Sequence, residues 1–292
     1  MSRSAHATTA VPASSDPAPT EPDLGAQTST EPRLAYRVFG EAGEPVLFIM
    51  GFGMPGGVWS PQVSALRGEF RCCHYDHLGV GDSEHGAAFP TIRSMAVDAV
   101  RILDDLGWAR AHVVGVSMGG MIAQELGLEF PERCATLTLV ATHGGAPGAG
   151  IPTPRGLWYF LKGVVGGSNV RLRSLPKLLY PQAYLDRIDR ESFDRHMRTR
   201  LGSKAVPRTI AGHLSAVSRH STEDRLGALK MPVLLVRPGL DILIRPKQTD
   251  RLAARIPGAR VLRFDDAGHG VTFQKQEELN AALREHFSQA RG

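Results

Sequence analysis

The sequence predicts an α/β fold built on a mostly parallel sheet, and three observations support that prediction. Continuous apolar runs, typical of parallel strands buried on both faces, alternate with stretches of helical spacing. This alternation occurs on both sides of a middle segment, residues 143–223, which lacks it. Glycine-containing turns follow several of the apolar runs. We therefore expect one sheet with helices on both faces and a helical insertion above it.

Length and composition predict one enzyme-sized unit. The 292 residues, 42% of them hydrophobic, suffice for one large core but are few for two independent domains. The net charge of +5 comes from 34 basic and 29 acidic side chains scattered along the chain, without a basic run of the nucleic-acid type. No apolar stretch reaches the roughly 18 residues of a membrane span. We expect neither a nucleic-acid nor a membrane partner, and we leave a homo-oligomer open.

The N-terminal segment and the cysteines bear on the cellular setting. Residues 1–31 are rich in alanine, serine, threonine and proline and lack the basic start and apolar core of a signal peptide, so we expect a disordered tail. Three cysteines, two of them the adjacent Cys72 and Cys73, cannot build a disulfide framework, which favours a cytoplasmic location. The remaining chain is assigned to a core at 32–142 and 224–292 and a helical cap at 143–223.

The order of elements follows from the local patterns. Apolar runs predict strands at 34–39, 45–50, 70–76, 112–116, 134–141, 233–237 and 260–264. Helical spacing predicts helices at 92–106, 118–130, 247–255 and 274–287.

Ser117 is the predicted nucleophile. It lies in Gly-Val-Ser-Met-Gly, residues 115–119, directly between an apolar strand and an apolar helix, as a nucleophile elbow requires. So tight a turn needs very small residues on either side of the serine. The hydroxyl then projects at a helix N-terminus, where a developing negative charge is favoured. The alternative is a Gly/Ser turn in which Ser117 merely caps the helix.

His269 and Asp241 are the predicted base and the acid that orients it. A serine hydroxyl needs a base to take its proton, and His269 lies between glycines in the loop after the last predicted strand. Asp241 follows the preceding strand after a Pro-Gly turn. The order Ser, Asp, His is that of the α/β-hydrolases. Asp265 and Asp266 are nearer rivals in sequence, but they are expected to cap the loop through backbone bonds.

Acyl transfer also needs two hydrogen-bond donors for an oxyanion. One is normally the amide after the nucleophile, here that of Met118, and our candidate for the other is the amide of Phe52. Phe52 lies in the glycine loop that ends the first buried strand. A hydrophobic pocket is expected beside these groups, formed by Gly51, Phe52, Gly53, Trp59, the Met118 side chain and the aromatic residues around Trp158.

From residue 33 to the C-terminus, these motifs resemble those of the α/β-hydrolase superfamily. The glycine loop is similar to the family's oxyanion turn, residues 76–83 to its Asp-x-x-Gly-x-Gly-x-Ser turn, and Ser117, Asp241 and His269 to its triad. The residues around the serine and histidine resemble small bacterial esterases, enol-lactonases and cofactor-free haloperoxidases. The resemblance implies an eight-stranded sheet and neither cofactor nor metal. Met50 departs from it where relatives have histidine, and a methionine would leave the oxyanion loop held by packing.

The residues together predict a serine hydrolase that cleaves an ester or lactone of a small, partly apolar substrate. Hydrolysis of a carbon–carbon bond and perhydrolysis are alternatives, because related triads support both. A non-hydrolytic member that binds or cyclises a metabolite is an alternative of another class, since fold alone does not fix function.

Overall fold

Eight strands form one sheet in a computed structural model that describes residues 24–145, 148–189, 193 and 205–291. The strand order is β1-β2-β4-β3-β5-β6-β7-β8. Only the β1–β2 and β2–β4 pairs are antiparallel. The mostly parallel sheet of the sequence prediction is thereby confirmed. The strands are β1 Leu24–Gln27, β2 Ala35–Phe39, β3 Pro45–Ile49, β4 Arg71–Tyr75, β5 Ala111–Val116, β6 Cys134–Val140, β7 Val233–Pro238 and β8 Arg260–Phe264.

Helices connect the strands and cover both faces of the sheet. Those of the core are α1 Ser60–Leu66, α2 Ile92–Asp105, α3 Met118–Glu129, α8 Lys247–Arg255, α9 Val271–Gln274 and α10 Gln276–Ser288. The segment between β6 and β7 contains the cap helices α4 Pro154–Val165, α5 Ser168–Leu179, α6 Gln182–Leu185 and α7 Pro207–Ser218. No helix in the described ranges is both long and apolar enough to cross a membrane.

Two hydrophobic cores lie on opposite faces of the sheet. One is formed with α2, α3 and α8, and the other with α1 and α10. Successive residues of a strand alternate between them, as Val113 and Val114 of β5 do, because strand side chains point to opposite faces in turn. Both faces of the sheet are therefore buried, which explains why the strand sequences are continuously apolar.

The structure corrects the predicted N-terminal boundary. Residues 24–31 were assigned to a disordered tail, but β1 pairs with β2, and the amide of Ser29 donates to Asp105 at 2.9 Å. The ladder is a backbone interaction, so it leaves little trace in a segment whose side chains are mostly exposed. The rest of the predicted tail, 1–23, lies outside the described residues. The C-terminal helix predicted at about 274–287 is present as α10, Gln276–Ser288, and the short helix α9 precedes it.

Candidate active site

Ser117 occupies a strained turn between β5 and α3. Its φ of 56° and ψ of −120° put a non-glycine residue in the left-handed region of φ, which persists only where the surroundings enforce it. A Cβ on Gly115 would lie 2.2 Å from the carbonyl oxygen of Gly119, and one on Gly119 would lie 2.1 Å from that of Ile49. The Thr142 hydroxyl donates to the Ser117 carbonyl at 2.7 Å. The flanking glycines are thus a steric requirement of this turn, as the sequence predicted.

The loops after β7 and β8 bring Asp241 and His269 together. The Nδ1 atom of His269 lies 2.7 Å from Oδ2 of Asp241, and both residues are buried. The other carboxylate oxygen, Oδ1, accepts the amides of Leu243 and Ile244 at 2.8 and 2.9 Å. Because an ionised carboxylate only accepts hydrogen bonds, Nδ1 carries the proton and Nε2 has a free lone pair. The imidazole is held in the tautomer that a general base needs.

The two rival carboxylates lie elsewhere. The Asp265 side chain is 88% exposed and stands 4.0 Å from Arg237. Asp266 pairs with Lys275 at 2.9 Å, and this hydrogen bond lowers the pKa of the Asp266 carboxyl. Neither side chain contacts His269 in the described structure. Asp241 is therefore the carboxylate that orients the histidine.

A cavity of about 730 Å³ between the sheet edge and the cap is lined by both Ser117 and His269. Its wall on the cap side is apolar and comes from α4, α5 and α7. The apolar side chains lining it are Met50, Phe52, Met54, Val58, Val116, Phe160, Val164, Leu175, Leu178, Leu179, Ala205, Val206, Pro207, Ile210, Ala211, Leu214, Leu243 and Phe273. Its size and lining suit a small molecule of apolar character.

Some of the predicted pocket residues line this cavity and others do not. Gly51, Phe52 and Gly53 do. Trp59 is only 1% exposed and packs against Phe48 in the core under α1, 5.1 Å between ring centroids. The Met118 side chain is likewise in the core. Trp158 is 58% exposed, because α4 turns Phe160 rather than Trp158 toward the cavity. The pocket predictions for Trp59, Trp158 and the Met118 side chain were wrong.

The backbone amides of Phe52 and Met118 are the two that the sequence predicts as oxyanion donors. Neither donates a hydrogen bond to an acceptor in the described part of the chain. Gly51 lies against the serine, since a Cβ at that position would be 3.3 Å from the Ser117 Cβ. Two unpaired N–H groups next to a serine are the arrangement that stabilises a tetrahedral oxyanion.

Two buried histidines, His77 and His213, hold the glycine loop by hydrogen bonds. Nε2 of His77 lies 2.8 Å from the carbonyl oxygen of Met50, and the amide of Gly53 donates to Nδ1 of His213 at 3.3 Å. Burial lowers the pKa of His77, and burial with the charge of His77 lowers that of His213 to about 3. His213 is thus neutral and able to accept. The expectation that this loop is held by packing alone was wrong.

The sequence contains a signal for a functional role of His77 but none for His213. His77 lies two residues after the end of β4, at the carboxyl edge of the sheet, where functional side chains gather, so its position was a usable signal. His213 lies 160 residues from Gly53, on a cap helix, and no local pattern links the two. Only the packing of the cap on the loop reveals it.

The turn after β4 has a structural role. Oδ1 of Asp76 accepts the amide of Gly56 at 2.7 Å, and Oδ2 accepts that of Asp82 at 3.0 Å. A Cβ on Gly81 would lie 2.0 Å from Asp76 Oδ2, and the φ of Gly81 is 55°. Glycine is required there so that the backbone can wrap around the buried carboxylate. The turn thereby fixes the start of the segment that carries α1.

Arg171 of α5 is a cationic side chain on an otherwise mainly apolar wall. It lines the cavity, and no carboxylate pairs with it in the described structure. Burial lowers the pKa of its guanidinium from the ordinary value. No cluster of three or more histidine, cysteine or acidic side chains that could hold a metal occurs among the described residues. Sequence analysis missed Arg171, because nothing in its neighbourhood sets it apart from the other arginines of the cap.

Comparisons with known proteins agree with this architecture. Residues 44–276 match the family model of the alpha/beta hydrolase fold. The chain is 29% identical over 252 residues to RutD of Azorhizobium caulinodans, a protein named for carbamate hydrolysis, covering 86% of this chain and 93% of that one. It is 30% identical over 264 residues to BpoC of Mycobacterium tuberculosis, which is named a non-heme bromoperoxidase. This match covers 87% of this chain and 97% of BpoC.

A solved structure gives the same fold at lower sequence similarity. The enol-lactonase of Burkholderia xenovorans superposes with a TM-score of 0.77 at 23% identity, covering 91% of this chain and 100% of that one. At this identity the likeness concerns the fold alone.

Proposed function

Because the chain belongs to the α/β-hydrolase fold family, we propose that it is a serine hydrolase that cleaves a carboxylic ester or lactone of a small, partly apolar substrate. The observation that carries the proposal is the 2.7 Å contact of His269 Nδ1 with Asp241, in a histidine that lines the same cavity as the strained Ser117. In the proposed mechanism this pair supplies a general base in the cavity that also holds the Ser117 hydroxyl.

The mechanism has two steps. Ser117 Oγ attacks the substrate carbonyl carbon while His269 Nε2 takes its proton, and the amides of Phe52 and Met118 stabilise the oxyanion. His269 then gives the proton to the leaving alkoxide, and an acyl-enzyme remains on Ser117. A water, deprotonated by His269, attacks the acyl carbon; the acid leaves as the bond to Ser117 Oγ breaks and His269 returns the proton to Oγ. Asp241 stays ionised throughout and stabilises the imidazolium.

Arg171 bears on the choice of substrate. An unpaired, partly desolvated guanidinium in a mainly apolar wall attracts an anionic group, and a carboxylate matches its fork of donors. We therefore expect an ester of a dicarboxylic acid with one free carboxylate to react better than its uncharged analogue. In Arg171→Met, KM for the charged ester should rise about tenfold or more, while KM for the uncharged ester stays unchanged. Equal effects on the two esters would exclude this role.

A fluorophosphonate probe tests the nucleophile directly. The wild type should be labelled on Ser117, and Ser117→Ala should lose both labelling and turnover of short nitrophenyl esters. Ser218→Ala is the matched control, since the hydroxyl of Ser218 is exposed and donates only to the backbone of α7. Labelling or turnover that survives Ser117→Ala would reject the assignment.

The same triad would also act on other bonds. One relative is named for carbamate hydrolysis and another for bromoperoxidase activity. An acyl-enzyme that is attacked by peroxide instead of water gives a peracid. Esters, lactones, carbamates and diketones should therefore be assayed in parallel, with and without hydrogen peroxide. Our proposal expects the ester or lactone to give the highest kcat/KM. A protein that binds these compounds without turning any of them over would be a non-hydrolytic member of the fold.

We further propose a reducing compartment such as the cytoplasm as the setting. Cys72, Cys73 and Cys134 are free and buried. Burial raises the pKa of the thiols of Cys72 and Cys134 to about 12, so they carry little of the reactive thiolate at neutral pH.

A further inference from the structure

Helix α4 of the cap carries a row of exposed apolar side chains on the side away from the cavity. Leu157, Trp158, Leu161 and Val165 are 42%, 58%, 48% and 82% exposed. Their spacing places them on one side of the helix, which we call the outer α4 face. Large exposed apolar side chains grouped in this way mark interaction sites, whereas scattered ones do not.

The opposite side of the same helix is apolar as well. Phe160, Gly163 and Val164 of α4 line the cavity. A helix that is apolar on both sides is normally buried on both. In α4 the inner side faces the cavity, and the outer face is open to solvent. The sequence of α4 therefore fits an environment in which a second apolar surface covers the outer face.

The stretch of chain that carries the outer α4 face has charges of one sign. Residues 134–185 contain no aspartate or glutamate. The basic side chains of α4 and α5 in this stretch are Arg155, Lys162, Arg171, Arg173 and Lys177. None of them has an ion-pair partner within the described ranges. Lys162 Nζ lies 4.4 Å from the centre of the Trp158 ring, so this cation stands directly at the apolar face.

We propose that the outer α4 face docks the enzyme on an anionic phospholipid surface. Leucine and tryptophan enter the boundary between headgroups and acyl chains, where tryptophan is favoured, and lysine and arginine bind the headgroup phosphates. A second copy of this chain fits the face less well, because an isologous contact would bring two acid-free, basic surfaces together. Since α4 also forms the cavity wall, docking brings the lipid within one helix diameter, about 10 Å, of the cavity.

The proposal changes the expectation of no membrane partner. That expectation rested on the lack of a spanning segment, and a helix that lies in the interface does not span the bilayer. Docking is independent of the catalytic assignment, since none of the outer α4 residues lines the cavity. The Ser117→Ala variant should therefore bind lipid as the wild type does.

The three tryptophans provide a selective readout. Trp59 and Trp108 are 1% and 6% exposed, and Trp158 is 58% exposed. A shift of tryptophan emission to shorter wavelength on adding vesicles therefore reports Trp158. We expect this shift, and cosedimentation, with vesicles that contain phosphatidylglycerol but not with pure phosphatidylcholine. High salt should reduce the binding, because headgroup attraction is screened.

Charge substitutions test the surface itself. Leu161→Asp and Val165→Asp should each lower partitioning onto anionic vesicles by about tenfold or more, while ester turnover in solution stays at the wild-type level. Val97→Asp is the matched control: Val97 is 44% exposed on α2, far in sequence from the cap, and its substitution should leave binding unchanged.

Four results would overturn the proposal. The first is no emission shift with anionic vesicles, and the second is an equal loss of binding in Val97→Asp. The third is an emission shift that depends on protein concentration without lipid, which would assign the face to a dimer. The fourth is an emission spectrum of the free protein already typical of three buried tryptophans, which would mean that the chain itself covers the face.

Discussion

The two walls of the cavity are built in different ways. On the sheet side, Ser117 has a left-handed φ, and the flanking glycines have no room for a Cβ, so the backbone there is fixed. The Asp241 carboxylate takes part in three hydrogen bonds. On the cap side, the wall consists of aliphatic and aromatic side chains and of Arg171, which has no carboxylate partner among the described residues. The sheet side fixes the positions of the Ser117 backbone and the Asp241 carboxylate, and the cap side determines the shape and polarity of the cavity.

This difference implies a division of work. In the proposed mechanism, groups on the sheet side act on the reacting atoms, so substitutions there should lower kcat with little effect on KM. Side chains on the cap side contact the remainder of the substrate, so substitutions there should change KM and substrate preference. His213 connects the two, because it belongs to a cap helix and bonds to the oxyanion loop. The predictions below test this division, beginning with the largest effect.

Asp241→Asn should reduce kcat about 10⁴-fold, because the amide favours the wrong histidine tautomer. The Asn oxygen can still accept the amides of Leu243 and Ile244, so the fold should be preserved. Steady-state kinetics with a short nitrophenyl ester and a thermal melt measure the two effects. A loss below about tenfold, with an unchanged melting temperature, would contradict the role of Asp241.

His213→Phe should lower kcat by about tenfold or more while KM changes little. The substitution removes the acceptor of the Gly53 amide and so loosens the loop that carries the predicted Phe52 donor. Loosening this loop should lower kcat less than removing an oxyanion donor outright. His286→Phe is the control, because His286 is equally buried but bonds to Leu137 on the far side of the sheet. If only KM rises in His213→Phe, then His213 belongs to the substrate wall and not to the oxyanion loop.

Phe160→Ala should raise KM for an apolar ester about tenfold and leave kcat nearly unchanged, because it removes apolar contact to the bound substrate. Trp158→Ala, on the same helix but outside the cavity, should leave both constants unaffected in the absence of lipid. A reversed result, with Trp158 controlling KM, would mean that the cap face assigned to the cavity is the wrong one.

The smallest effect concerns pH and stability. Burial lowers the pKa of His74 to about 3, that of His143 to about 4 and that of His220, next to His143, to about 3. The unfolded chain takes up protons at these histidines below about pH 6.5 and the folded chain does not, so stability should fall as the pH drops from about 6.5 toward 4. Melting curves should show this slope, and His74→Leu should flatten it. A melting temperature independent of pH in this window would contradict the neutral state of these histidines.

Part of the fold and of the candidate site could be predicted from the sequence. The strands, the elbow at Ser117 and the loops of Asp241 and His269 depend on local signals, namely apolar runs and glycine turns, and the fold class is confirmed. The catalytic roles themselves stay predictions. The pocket assignments of Trp59 and Trp158 failed because an aromatic residue in a helix reveals little about which side of the helix faces a cavity.

Contacts between distant segments were beyond the sequence for a different reason. The bond of His213 to Gly53 and the bond of the Ser29 amide to Asp105 join parts of the chain that carry no mutual signal. Each becomes evident only when the elements are packed. Arg171 likewise became notable only through the apolar wall around it.

The central claim is that Ser117 forms a covalent acyl intermediate, and its most direct test is rapid acid quenching of the wild-type enzyme during turnover of an activated ester, followed by mass spectrometry of its peptides. The account predicts one acyl group, on Ser117, that appears and decays at rates compatible with kcat. Turnover without such an adduct, or an acyl group on another residue that forms fast enough to carry the reaction, would contradict it.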